Sequence, residues 1–124
     1  MNIERVDFVD VPSRDIERSI AFYRDVLELP QNPHEPTEFE AGNVTLAVMT
    51  PHTHDYEFTQ LPPSTIALRV RDVAAAKAAL EAAGLEVGEM WDSGACHGAG
   101  VNDPAGNRIL LHRRYAPYAD GTTP

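Results

Sequence analysis

The sequence predicts an α+β protein of two βαβββ modules whose mixed sheets curve around a shared cleft. Three observations carry that reading. Along the 124 residues a strand-like alternation gives way to a helical period, and the same succession then starts again. Each helical period opens on an aspartate, Asp15 and Asp72, 57 residues apart. Each half ends on an Ala-Gly-Asn tripeptide followed by an alternating run, at Ala41-Gly42-Asn43 and Ala105-Gly106-Asn107, 64 residues apart. A half of about sixty residues buries too little surface to stand alone. A single domain over 1–124 is therefore expected, with modules at about 1–60 and 61–115 and a loose tail over 115–124.

The elements follow in order. Glu4 to Val11 alternates and is rich in β-branched residues, which predicts a strand closed by Pro12 and Ser13. Asp15 is placed as an N-cap, and Ile16, Ile20, Tyr23 and Leu27 recur at helical spacing. Pro30, Pro33 and Pro36 make the next stretch irregular. Thr37–Ala41 and Val44–Met49 read as short strands about a Gly42-Asn43 turn. Residues 50–63 read as a linker. Thr65–Val70 is the next strand, Asp72 the next N-cap, and Val73, Ala76, Leu80 and Ala83 line a helix that Gly84 ends. Leu85–Trp91 and the glycine-rich Cys96–Asn102 read as strands. The turn Asp103-Pro104-Ala105-Gly106 leads into a last strand, Arg108–Arg114.

Lys and Arg number 10 against 19 Asp and Glu, for a net charge of −9. A negative chain repels phosphate, so neither nucleic acid nor an anionic membrane is an expected partner. The longest apolar stretch, Val73 to Leu85, is interrupted by Lys77 and Glu81 and is too short to span a bilayer. The opening MNIERVDF lacks the basic start and apolar run of a signal peptide, and Cys96 has no partner for a disulfide. A cytoplasmic location is expected. Residues 1–62 hold twelve acids and four arginines, whereas residues 63–124 hold seven acids and six bases. An acidic first half reads first as a solubilising surface and second as a field that could attract a cationic ligand.

His112 is the foremost candidate for chemistry. It lies two residues after Leu110 on the last strand, so both project from one face. There it could accept a proton, donate a hydrogen bond or bind metal. A hairpin pairing Asp103 with Asn107 would set Gly98 opposite His112, put Cys96, Gly98 and Gly100 on that face, and turn His97 away, whereas a bulge among those glycines would reverse this. Cys96 otherwise reads as a small buried hydrophobe. His52-Thr53-His54-Asp55 could hold a metal on an extended segment or be a solvated loop. Glu38 and Glu40 share a strand face. Trp91, Phe39, Phe58 and Met49 could wall an apolar pocket or pack the core. Tyr23 reads as packing, and Asp103 and Asn107 as turn residues.

Two motifs, Asp15-Ile16-Glu17-Arg18-Ser19-Ile20-Ala21-Phe22-Tyr23 and Asp103-Pro104-Ala105-Gly106-Asn107-Arg108-Ile109, carry a family resemblance. With the doubled βαβββ order, the chain resembles the vicinal oxygen chelate superfamily over residues 4–114. That superfamily includes glyoxalase I, extradiol dioxygenases, fosfomycin-modifying enzymes and bleomycin-binding resistance proteins. The resemblance implies a homodimer and a divalent metal held from the first and last strand of each module. Mapped through the motifs, those positions are Phe8, Leu46, Thr65 and Leu110. They offer a single hydroxyl between them. A one-residue slip in the first strand would offer Asp7 and a two-residue shift Asp10, but no slip yields four donors. No cofactor is therefore expected at the usual positions, and a divalent metal would need relocated ligands. The function expected is binding of a small organic molecule, as in the bleomycin-resistance type, by a cleft lined by Phe8, Leu46, Thr65, Cys96, His97, Gly98, Leu110 and His112. The alternative is a lyase, isomerase or dioxygenase using His112 with a relocated metal or metal-free acid–base catalysis.

Overall fold

The strand–helix succession occurs twice in the computed structural model, which describes residues 1–50 and 57–124. The chain is α+β and divides into two units, Met1–Leu61 with Asp103–Asn107, and Pro62–Asn102 with Arg108–Pro124.

The first unit holds β1 (Phe8–Pro12), α1 (Ile16–Ala21), a π-helical turn (Phe22–Val26), β2 (Glu38–Glu40) and β3 (Thr45–Met49). Its sheet has the order β1-β3-β2, with β1 parallel and β2 antiparallel to β3. Asp15 caps α1 by accepting from the Arg18 amide at 3.2 Å. The π turn closes through the Leu27 amide on the Phe22 carbonyl at 2.9 Å. It brings the sequence neighbours Phe22 and Tyr23 both inward, at 5% and 0% exposure, with their rings edge to face at 5.2 Å. Val11, Phe39, Leu46 and Val48 complete this core. The first strand starts at Phe8, not Glu4, and Val6 before it is exposed. It runs on through Pro12, whose missing N–H falls at the strand end.

The register of β1 against β3 corrects one expectation. Phe8 pairs with Thr45 and Val9 with Leu46, so Phe8 and Leu46 lie on opposite faces. Leu46 belongs to the buried face with Val11 and Val48. The cause is one extra residue: the core-facing Leu46 is the fourth residue after Gly42, whereas the core-facing Ile109 is the third after Gly106. A tripeptide match cannot detect that step, and one step reverses a strand's faces.

A buried polar network completes the first unit. The Tyr23 hydroxyl donates to Asp103 Oδ2 at 2.7 Å. Asp103 Oδ1 accepts the amides of Ala105 and Asn107. Asn107 Nδ2 donates to Asp103 Oδ2 and to the Pro12 carbonyl, both at 2.8 Å, and its Oδ1 accepts the Leu61 amide at 2.9 Å. Tyr23, Asp103 and Asn107, read as packing and turn residues, thus share one hydrogen-bonded cluster.

The second unit holds β4 (Ile66–Arg69), α2 (Val73–Ala82), β5 (Trp91–Asp92), β6 (Cys96–Asn102) and β7 (Arg108–Arg114), with sheet order β4-β7-β6-β5. Asp72 caps α2 through the Ala75 amide at 3.0 Å. Gly84, at φ +88°, turns the chain so that the Leu85 amide reaches the Leu80 carbonyl. Ile66, Val73, Leu80, Val87, Ala99, Val101, Ile109 and Leu111 form the core. The strand expected over Leu85–Trp91 shrinks to a bridge at Val87 and the two residues of β5, since Val87 alone of that run is buried. The segment after β7 is tied back, with the Tyr115 and Ala116 amides donating to the Ala95 carbonyl.

Tyr23→Phe should lower unfolding free energy by about 1.5–3 kcal/mol, the scale of a hydrogen bond to a charged group. Asn107→Ala, which orphans three partners, should cost more. Urea denaturation measures both. Burial and the neighbouring Asp103 carboxylate push the Tyr23 hydroxyl far above its ordinary range. The folded state therefore keeps a proton that the unfolded chain releases above about pH 10. Stability from this group is complete below that pH and falls as pH rises beyond it. Tyr23→Phe should flatten that alkaline loss.

Candidate functional site

One row of residues crosses all four strands of the second sheet. Trp91 on β5 pairs with Gly98 on β6, Gly98 with His112 on β7, and His112 with Arg69 on β4. Residues paired across a ladder share a face, so all four sit on the same side. The other side, with Ile66, Ile109 and Leu111, is buried. The next row holds Gly100, Leu110 and Ala67. Arg108 and Arg114 are on this face too, two residues beyond Leu110 and His112.

The two glycines shape this face. A Cβ on Gly98 would come within 2.1 Å of Trp91 Cζ2, so the indole lies directly across that glycine. A Cβ on Gly100 would come within 2.4 Å of the Arg108 guanidinium, which covers it in the same way and reaches Gly88. Trp91 remains 40% exposed, and its ring centroid is 6.1 Å from that of His112. A cavity of about 350 Å³ adjoins Arg108, lined by Leu85, Glu86, Val87, Gly88, Gly100 and Asn102.

The charge here is opposite to that of the chain. Among the described residues no carboxylate lies within 4.0 Å of the cationic groups of Arg69, Arg108 or Arg114. Arg114 is occupied, donating to the Pro117 carbonyl at 2.7 Å and lying over the Tyr118 ring. The acids gather elsewhere. Asp10, Glu38 and Glu40 share one face of the first sheet with Phe8, Thr45 and Ala47. The negative first half therefore does not make the His112 face negative.

The structure brings Gly98, Leu110 and His112 together and places Cys96 on the same face, opposite Arg114. His97 turns to the other side. There its Nε2 is 3.3 Å from Asp92, and the Tyr115 hydroxyl donates to the same carboxylate at 2.7 Å. Those bonds, led by Tyr115, hold the Asp92 carboxyl below its ordinary range and push the Tyr115 hydroxyl up. Thr65 precedes β4, and its hydroxyl is spent on the Pro62 carbonyl at 2.7 Å. Phe8 is 51% exposed in the first unit, and Leu46 is in its core. Residues 52–55, the sequence's other histidine cluster, lie outside the described residues.

The donors do not fit a divalent metal at the family's usual positions. Phe8, Leu46 and Leu110 have none, and the Thr65 hydroxyl is engaged. Among the described residues no group of three His, Cys, Asp or Glu is placed to hold an ion. Sequence reasoning missed Arg69 and Arg108. For Arg108 the signal was available: it lies four residues before His112 on the same strand, and a glycine on the facing strand leaves room for a long side chain to fold over; Arg69 joins the face only through the pairing of β4 with β7.

Paired βα units, each with a helix-covered and a side-chain-lined sheet face, define a known class of small α+β protein. A family model described as the Glyoxalase/Bleomycin resistance protein/Dioxygenase superfamily matches residues 5–111, and the chain belongs to that superfamily. Solved structures agree in fold. A lactoylglutathione lyase from Agrobacterium tumefaciens is 19% identical, covers 90% of this chain and 94% of its own, and superposes with a TM-score of 0.71. An antibiotic binding protein from Streptomyces sp. CB03234 is 24% identical over 92% of this chain and 98% of its own, with a TM-score of 0.71. A glyoxalase/bleomycin resistance protein from the same organism is 23% identical over 89% and 100%, with a TM-score of 0.64. No protein of curated function matches significantly. At these identities the likeness is one of fold, which hosts several activities.

Gly98→Ala should push the indole off β6 while the ladder stays formed, since Trp91 is at the exposed edge strand. Trp91 is the only tryptophan. Its emission should move to longer wavelength and become more accessible to acrylamide. Unchanged emission and quenching would show that the indole does not rest on Gly98.

Proposed function

We propose that the chain binds a small organic molecule on the Trp91–Gly98–His112–Arg69 face of its second sheet. The observation that carries this reading is that row itself. An exposed indole lying over Gly98, an imidazole and a guanidinium share one row of the sheet face, and among the described residues no buried network holds them there. Leu110 and Ala67 add apolar floor beside them. The indole offers a flat apolar surface, and His112 and Arg69 offer directed polar contacts at its edge. The similarly folded antibiotic binding protein supports the same class of activity.

Acid–base catalysis at His112 is less well supported. A general acid–base pair needs a second group that exchanges protons near neutrality. Across its row His112 has Arg69 and, beyond Gly98, Trp91. Arginine stays charged and the indole N–H stays protonated in that range.

The test is a thermal-shift screen of small neutral and charged organic molecules, with Trp91 emission as a second readout. A binder should raise the unfolding temperature and change the emission together. Trp91→Ala should weaken it by about three- to tenfold, the range of an aromatic contact. Binders whose affinity is indifferent to Trp91→Ala and His112→Ala would move the site away from this face.

A further inference from the structure

We infer that the ligand of this face is a planar aromatic carboxylate, a conclusion that rests on the binding reading above and narrows it. Gly98 and Gly100 sit two residues apart on one face of β6, about 7 Å along the strand. The Trp91 indole covers the first and the Arg108 guanidinium the second. An aromatic surface and a planar cation thus stand next to each other over two glycines, which put no side chain of their own on this face. Arg69 enters the same face from β4, opposite His112.

Neither Arg69 nor Arg108 has a hydrogen-bond or ion-pair partner among the described residues. The Arg18, Arg71 and Arg113 side chains are likewise unpaired among the described residues, so what sets Arg69 and Arg108 apart is their place on the face that holds Trp91 and His112. Glu86 lines the cavity beside Arg108 but does not come within 4.0 Å of its cationic group. A guanidinium presents paired donors in a plane and matches a carboxylate with two parallel hydrogen bonds. A ring stacked on Trp91 would direct a carboxylate on its edge toward Arg108, with Arg69 and His112 on the opposite flank. A cationic ligand, suggested by the overall charge, would meet two arginines here. A neutral one would leave both unanswered.

The inference is tested by calorimetry with three probes of one shape: naphthalene-2-carboxylate, naphthalene-2-carboxamide and 2-naphthylmethylammonium. The carboxylate should bind at least about tenfold more tightly than either of the others, the lower bound for hydrogen bonds to a charged group. Arg108→Gln should remove most of that preference. Gly100→Ala is the second variant, because it displaces the guanidinium without removing the charge, and it should reduce the preference too. Equal binding of carboxylate and amide, or tighter binding of the ammonium, overturns the inference while leaving a binding face at Trp91. A preference that survives both variants also overturns it. Absence of saturable binding by all three probes, with Trp91 emission unmoved, overturns the underlying reading as well.

Discussion

Asp103 is a carboxylate with almost no water, 4% exposed, and four donors aimed at it from Tyr23, Ala105 and both nitrogens of Asn107. An ionised group in that position is tolerable only while those donors stay in place. The arrangement constrains more than its own turn. The Asp103 amide donates to the Asn107 carbonyl, which closes the hairpin between β6 and β7 and sets every pairing along it. Gly98 faces His112, and Gly100 faces Leu110, because that closure holds. A polar cluster in the first unit therefore determines which side chains meet on the open face of the second.

Charge is sorted by sheet. Asp10, Glu38 and Glu40 line one face of the first sheet, and Arg69, Arg108 and Arg114 one face of the second. Net charge averages over this and points the wrong way for a ligand at His112. What decides local recognition is the sign of the groups within a few ångströms, since more distant exposed charges are screened. The Glu40 carboxylate already accepts from Thr45, and Glu38 from Asn32, whereas the Arg69 and Arg108 side chains have no ion-pair partner among the described residues.

Much of the fold was legible because its signals are local. Asp15 and Asp72 cap helices, Gly84 ends one, and the turn at Asp103–Asn107 sets the last hairpin, each through bonds within a few residues. The register that puts Gly98 opposite His112 followed from that turn. The face of Leu46 was not legible, because it depends on a one-residue difference between two turns that look alike in sequence. The contracted strand before β5 was hidden by composition, since Leu85, Val87 and Met90 suggest a strand but only Val87 is buried. The site was half visible. His112 and the glycines stood out, while Arg69 and Arg108 did not. Their meaning comes from what lies beneath and across from them, which is a tertiary fact.

The one-residue step after Gly42 also bears on how the two halves are related. Their likeness has the form of a duplicated segment, yet the copies are not interchangeable parts. Aligned on their glycines, a graft of residues 107–114 onto 43–50 would carry Leu110 harmlessly into the place of Leu46. It would also carry His112 into the place of Val48, which is 2% exposed in the apolar core. The same imidazole that is useful on an open face would there be a polar group without a partner. Any recombination between the halves must therefore delete or add a residue at the turn, and point substitutions alone cannot bring the two copies back into phase.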